Sequence, residues 1–239
     1  MIERIDVVVP ARDEEALLGA CLESVLAAAD ALPGRIRTRI VVVLDDCTDG
    51  SVDVARSFGP RIRVVQTAFA NVGRARAAGV EELLDSSVPR RGHWIASTDA
   101  DSVVPRTWLR EHRKAAESGA LVALGRVLPR AADLDGEVLR AWHDLHLAPG
   151  RHVYGANLGV RADAYLLAGG FPPLASGEDE ALVAAVEALD PGLLPVLGVV
   201  GEAPAPLVID LGGAPVDTSG RTEGRTAGGF AGFLRRLVD

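Results

Sequence analysis

Four short apolar runs, each followed by an amphipathic segment, constrain this chain more than any other feature. Residues 5–9, 40–44, 62–65 and the run that begins at Trp94 show almost none of the polar alternation of a half-solvated strand. Runs of that kind form strands covered on both faces. Between them lie helical stripes: Leu17, Leu18, Cys21, Leu22, Val25, Leu26 and Ala29 in the first, and Val72, Ala75, Gly79, Val80 and Leu83 in the third. A short helix ending near Phe58 lies in the second. The first hundred residues therefore read β-α-β-α-β-α-β, which implies a parallel sheet with right-handed crossovers. In such a sheet the loops 10–15, 45–51 and 99–102 gather at one edge. All three carry acidic or polar groups, and ligands bind at that edge of open α/β sheets.

The fourth run, W-I-A-S-T-D-A-D-S-V-V, ends in Asp99 and Asp101, with Pro105 just beyond. Alternate residues of an extended strand end point the same way, so both carboxylates can face one spot past the sheet. Two such anions call for a cation between them. Hard oxygen donors without a His/Cys cluster suit Mg²⁺ or Mn²⁺ rather than Zn²⁺. The residues alone leave a second reading open, in which Asp99 or Ser102 caps the helix after Pro105.

Composition narrows the partners. A net charge of −8 speaks against general nucleic-acid binding. The segment Met1-Ile2-Glu3-Arg4 leads straight into a strand, so no signal peptide is read, and no apolar run reaches membrane-spanning length. Cys21 and Cys47 form neither a metal quartet nor a disulfide framework. The expectation is a cytoplasmic protein, with the inner membrane face as an alternative location.

The second half is less regular. It reads as a helix over 106–118, a strand over 121–128, a helix over 133–147 and a Gly-containing strand over 153–160. A turn at 169–173 precedes a helix opening at Gly177-Glu178-Asp179-Glu180. Short strands follow near 193–200 and 207–211, then a Gly/Thr/Ser/Arg-rich loop over 216–229 and a closing helix over 230–238. Phe230, Phe233, Leu234 and Leu237 form a stripe on that last helix. It suits packing in the core or in a homodimer, with peripheral membrane contact as the alternative. No repeat or long linker divides residues 1–239, which are expected to form one domain.

Six blocks in order, V-V-V-P-A-R-D-E-E, L-D-D-C-T-D-G-S, N-V-G-R-A-R-A-A-G-V, T-D-A-D-S, Y-G-A-N-L-G-V-R-A-D-A-Y-L-L-A-G-G-F and G-E-D-E, resemble a family-2 glycosyltransferase. The resemblance implies a GT-A type, Rossmann-like three-layer α/β sandwich with a mostly parallel central sheet. It also implies a nucleotide-diphospho-sugar donor, a hydroxyl acceptor, a divalent cation and inversion at the anomeric carbon. Residues 1–104 would hold the nucleotide-sugar, and 105–239 the acceptor and a C-terminal tail.

By the same resemblance Pro10, Arg12 and Glu14 line the nucleobase pocket. Asp45 or Asp46 bonds the base, Asp46 being favoured, and Gly73 lets a helix start approach the nucleotide. Arg76 reaches the phosphate or ribose, Asp99 faces ribose or metal, and Asp101 ligates the metal. Asp13 stands where the family often has Asn. The Q-x-x-R-W signature of processive synthases is missing, which favours transfer of a single sugar.

Glycosyl transfer needs a base for the acceptor proton. Glu178 and Asp179 at a helix start serve equally well, as residues, to complement the helix dipole. The resemblance assigns Asp179 as the base. Arg221 and Arg225 are candidates to fold over the diphosphate, with an exposed basic loop as the alternative.

Three rival readings fit less well. A haloacid-dehalogenase-type phosphotransferase needs a nucleophile on the first strand and a suitable downstream lysine, and Lys114 is the only lysine. A sugar-nucleotide pyrophosphorylase opens with a Gly-rich phosphate loop, whereas residues 10–15 hold no glycine. A NAD-binding domain needs G-x-G-x-x-G after the first strand. A sugar-nucleotide-binding protein without transfer activity is the non-enzymatic alternative.

Overall fold

The computed structural model describes residues 2–84, 89–147, 152–198, 206–222, 224 and 230–237. The four expected strands are β1 (Arg4–Ala11), β2 (Ile40–Asp45), β3 (Arg63–Thr67) and β4 (His93–Ser97). They pair in parallel in the order β3-β2-β1-β4. Helices α1 (Leu18–Asp30), α2 (Ser51–Ser57) and α3 (Val72–Leu83) make the crossovers.

Side-chain parity sorts the core into two layers. Ile5, Val7 and Val9 pack with Leu18, Leu22 and Val25 of α1 and with Trp108 and Leu109 of α4 (Trp108–Glu117). Val8, Val41, Val43 and Ile95 point to the other face, against Ala75, Val80 and Leu83 of α3. With both faces covered, a strand has no use for polar alternation, which explains the continuous runs.

The sheet continues through β5 (Val122–Pro129), β6 (Leu158–Arg161) and β7 (Val208–Thr218), giving the order β3-β2-β1-β4-β6-β5-β7. Only β6 runs antiparallel to its neighbours. This is the three-layer α/β sandwich with a mostly parallel sheet expected above. Helices α5 (Gly136–Leu147), α6 (Ala162–Leu167), α7 (Glu178–Glu187) and α8 (Phe230–Arg235) complete the described elements.

Several boundaries in the second half differ from expectation. Among the described residues of 193–200 no strand forms: Pro191–Leu193 is a 3₁₀ turn, residues 194–198 continue as a turn, and 199–200 lie outside the described residues. Strand β6 starts only at Leu158, because Gly155–Asn157 is itself a 3₁₀ turn.

Past the expected strand end at 211, and into the expected loop over 216–229, strand β7 runs on to Thr218 through G-G-A-P. It is tolerated because Leu211 pairs with Gly125 while Val216 already pairs with Val127, so residues 212–215 bulge opposite Arg126. Asn157 plugs this bulge, its Nδ2 donating to the carbonyls of Arg126 and Ala214, each at 2.9 Å. The closing stripe packs within the chain: Leu234 is fully buried beside Trp142, flanked by Phe230, Phe233 and Leu237. Among the described residues no helix is long and apolar enough to cross a membrane.

Candidate active site

The C-terminal ends of β1, β2 and β4 open onto a cavity of about 840 Å³. Pro10, Arg12, Glu14, Arg76, Asp99, Asp101 and Asp179 line it, together with Asp45, Thr218 and Arg221. Neither Asp99 nor Ser102 caps the helix after Pro105, since α4 begins only at Trp108 and has no side-chain cap.

The loop that carries the two aspartates is held from both sides. The buried thiol of Cys21 donates to the Asp99 carbonyl at 3.3 Å. Val103 and the end of β7 exchange backbone bonds, Val103 N to Asp217 O at 2.7 Å and Asp217 N to Val103 O at 3.1 Å. That clamp sets the Thr218 hydroxyl 3.1 Å from Asp101 Oδ1.

Arg76 is the internal cation of the site. It is 2% exposed, and its guanidinium pairs with both Asp99 and Glu178 while Nε donates to Ser97 Oγ at 3.1 Å. A Cβ at position 155 would collide with that guanidinium, so only glycine lets the turn before β6 close over it. Arg76 thus ties the end of β4 to the start of α7. Its charge is spent on protein carboxylates, and this differs from the expected reach to a phosphate.

Asp179 is oriented by two amides, Gly155 N at 2.6 Å from Oδ2 and Glu180 N at 2.9 Å from Oδ1. Glu14, expected at the nucleobase, receives both terminal nitrogens of Arg221, at 2.9 and 2.5 Å. Arg221 also lies 3.1 Å from Asp101 Oδ2. Burial, with the neighbouring Asp99 carboxylate, pushes Asp101 up to about 6 against the pull of Arg221. Burial also raises Asp99 against Arg76, and Asp179 adds to the rise. The edge is thus a crowd of carboxylates held together by two arginines.

Two expected contacts sit elsewhere. A Cβ on Gly73 would strike the backbone of Pro172 and Leu174, and its N–H donates to Leu174 O at 3.0 Å, so this glycine seats α3 against the 172–174 turn rather than the cavity. Asp45 is 3% exposed and accepts from Thr67 Oγ1 and from the amides of Phe69 and Asn71. Asp46, 44% exposed, pairs with Arg12 at 2.8 Å on the rim and is not part of the cavity lining. Asp45 is therefore committed to the loop's own backbone. Arg225 lies outside the described residues.

Sequence reasoning missed Glu178 as the buried partner of Arg76, and Thr218 as the hydroxyl on Asp101. The first had a signal. Gly73, Arg76 and Val80 share the buried face of α3, and a buried guanidinium needs a buried carboxylate. The second had none, because Thr218 reaches the site only through the bulged β7.

Asp13, Cys47 and Asp49 lie close enough to share an ion. Their oxygens are already used, Asp13 by Thr48 N at 2.6 Å and Asp49 by Glu15 N and Ser51 N. This trio ties the loops after β1 and β2 together. Asp99, Asp101 and Glu14 line the cavity as oxygen donors of the kind that suits a hard cation, and a guanidinium already stands in as the positive charge.

A family model for glycosyl transferase family 2 matches residues 6–165. No curated protein matches the chain. Among solved structures, Staphylococcus aureus TarS 1–349 aligns with a TM-score of 0.56 at 16% identity, covering 77% of this chain and 55% of that one. Its complex with UDP-GlcNAc gives 0.56, 19%, 77% and 53%. Mycobacterium tuberculosis glucosyl-3-phosphoglycerate synthase aligns with a TM-score of 0.55 at 17% identity, covering 99% of this chain and 78% of that one. Its complex with Mn²⁺, UDP-glucose and phosphoglyceric acid gives 0.51, 18%, 87% and 70%. At these identities the likeness is one of fold, and the chain spans about half the length of the TarS structures.

Proposed function

The chain belongs to glycosyl transferase family 2, and from that premise we propose that it moves one sugar from a nucleotide-diphospho-sugar to an acceptor hydroxyl, with inversion. The observation that carries this reading is the convergence of Asp99, Asp101 and Asp179 on one cavity at the ligand-binding edge of the sheet. UDP-sugars are the donor class to test, because the TarS and M. tuberculosis complexes hold them. Residues 1–104 supply the donor side and residues 105–239 the acceptor side.

In this reading Asp179 accepts the acceptor hydroxyl proton on a carboxylate oxygen. The acceptor oxygen then bonds to the anomeric carbon from the face opposite the diphosphate, and the sugar–diphosphate bond breaks. The two amides on Asp179 hold its carboxylate in a fixed orientation. A divalent cation on Asp101 and Asp99 would neutralise the departing diphosphate. Arg12, which lines the cavity at its rim, is the group that meets the base, while Arg76 keeps Asp99 and α7 in register.

Calorimetry with UDP tests the donor half of this proposal. Binding should require Mn²⁺ or Mg²⁺ and weaken in Asp101→Ala; equal affinity with and without metal would falsify the metal assignment. Transfer assays test the base. Asp179→Asn keeps the shape and one amide bond but loses basicity, so turnover should fall by about 10²- to 10⁴-fold with UDP affinity unchanged. Near-normal turnover in the folded variant removes Asp179 from that role.

A further inference from the structure

We propose that Arg221 and the divalent cation are alternative counter-ions for Glu14 and Asp101, so that cation binding displaces Arg221 from the site. This rests on the metal reading above. The guanidinium straddles both carboxylates, with Nη1 and Nη2 on the two oxygens of Glu14 at 2.9 and 2.5 Å and Nη2 on Asp101 Oδ2 at 3.1 Å. The other Asp101 oxygen is held by Thr218. Oδ2 is therefore the oxygen that faces a cation, and Arg221 is already on it.

The two cations cannot share this place. A Mg²⁺ or Mn²⁺ ion bonds a carboxylate oxygen at about 2.1 Å, which would put it against the guanidinium nitrogen now 3.1 Å from the same oxygen. Like charges that close in a part-buried site repel strongly. The side chain has the freedom to leave. The backbone is fixed just before it, by the Val103–Asp217 bridge and by Gly220 N on Asp133 Oδ2 at 3.0 Å, while the Arg221 side chain itself is one-third exposed. A long flexible side chain on an anchored backbone can swing without unfolding the strand that carries it.

A released guanidinium has one strong anion to meet in the same cavity, the donor's diphosphate. Cation and nucleotide then assist each other, since the cation frees the arginine that the diphosphate captures. Removing Arg221 should thus have opposite effects on the two ligands. The cation alone gains, having lost a competitor, and the coupling between cation and nucleotide shrinks.

The test is a titration of Mn²⁺ alone, followed by the electron paramagnetic resonance of the free ion, on the parent, Arg221→Ala, Arg221→Lys and Asp101→Ala. If Arg221 occupies the site about nine-tenths of the time, Arg221→Ala should bind Mn²⁺ about tenfold more tightly. Lysine, a point charge that cannot span both carboxylates, should fall between. Without metal, Arg221→Ala should melt lower than the parent, and Mn²⁺ should raise its melting temperature by the larger increment. Equal Mn²⁺ affinity in the parent and both Arg221 variants, with binding lost in Asp101→Ala, overturns the exchange and leaves the metal site standing. Mn²⁺ binding that ignores Asp101→Ala, or is absent throughout, overturns the metal site and the exchange with it.

Discussion

Ala70 lines the cavity with φ at 50°, a left-handed conformation that costs a residue bearing a Cβ about 1–2 kcal/mol. Asp45 holds it there, accepting from the amide on either side, Phe69 N at 2.6 Å and Asn71 N at 2.8 Å. Glycine pays no such penalty but loses more chain freedom on folding, by about 0.5–1 kcal/mol. Ala70→Gly should therefore stabilise the protein by up to about 1 kcal/mol, read as a higher urea midpoint at unchanged slope. A lower midpoint would show that the methyl group packs well enough to outweigh the strain. Asp13, at the same φ of 50°, solves its own problem, since its carboxylate accepts from Thr48 N and Thr48 Oγ1. Asn has the same acceptor oxygen, so Asp13→Asn should keep this turn. Asp99 and Asp101 stand out in the sequence as paired acids at a strand end, and Asp179 only through the family resemblance; all three line the cavity. Which arginine would spend itself on protein carboxylates was not legible, because that depends on a chain segment arriving from elsewhere.

At the scale of elements, the first half was readable almost residue by residue. Strands β1, β2 and β4 are short and buried on both faces, whereas β3, expected to be covered likewise, is only partly buried because it lies at the edge of the sheet. The second half resisted for identifiable reasons. Strand β7 contains Gly212, Gly213 and Pro215, which are turn signals unless a facing bulge absorbs them, and Asn157 is what fills that bulge. Helix α8 ends at Arg235, short of the 238 expected, because no residue of the sequence marks its stop. Its packing, though, follows the i, i+3, i+4, i+7 stripe, with Phe230 and Phe233 meeting Trp142 edge-on at 5.2 and 5.8 Å between ring centres. Leu234→Ala in this small cluster should cost about 2–3 kcal/mol, the lower part of the range for buried leucines. Hydrogen exchange should show the loss concentrated in α5 and α8, with β1 and β2 still protected. Uniform loss of protection would mean that the cluster folds as one unit with the sheet.

For the molecule as a whole, stability should depend on pH through His112. This ring is fully buried between Trp94, whose Nε1 lies 3.3 Å from His112 Nδ1, and Trp108, edge-on at 4.9 Å. Burial lowers its pKa to about 3. Between there and 6.5 the unfolded chain binds a proton that the folded protein refuses, so stability falls as the medium is acidified, by about 1.4 kcal/mol per pH unit from this group. Asp101, raised from 3.8 to about 6, opposes it between those two values. Comparing the parent with His112→Asn cancels the shared contribution. The drop in melting temperature from pH 7.5 to 5 should be smaller in the variant, and an equal drop would acquit His112.

The pair between Glu14 and Arg221 joins positions 207 residues apart. During synthesis at about 5–20 residues per second, Glu14 emerges roughly ten to forty seconds before its partner exists. Throughout that interval the bridge from Arg221 to Glu14 and Asp101 cannot form. The arginine comes late, and its arrival marks the moment when sheet, bulge and acidic edge are all in register.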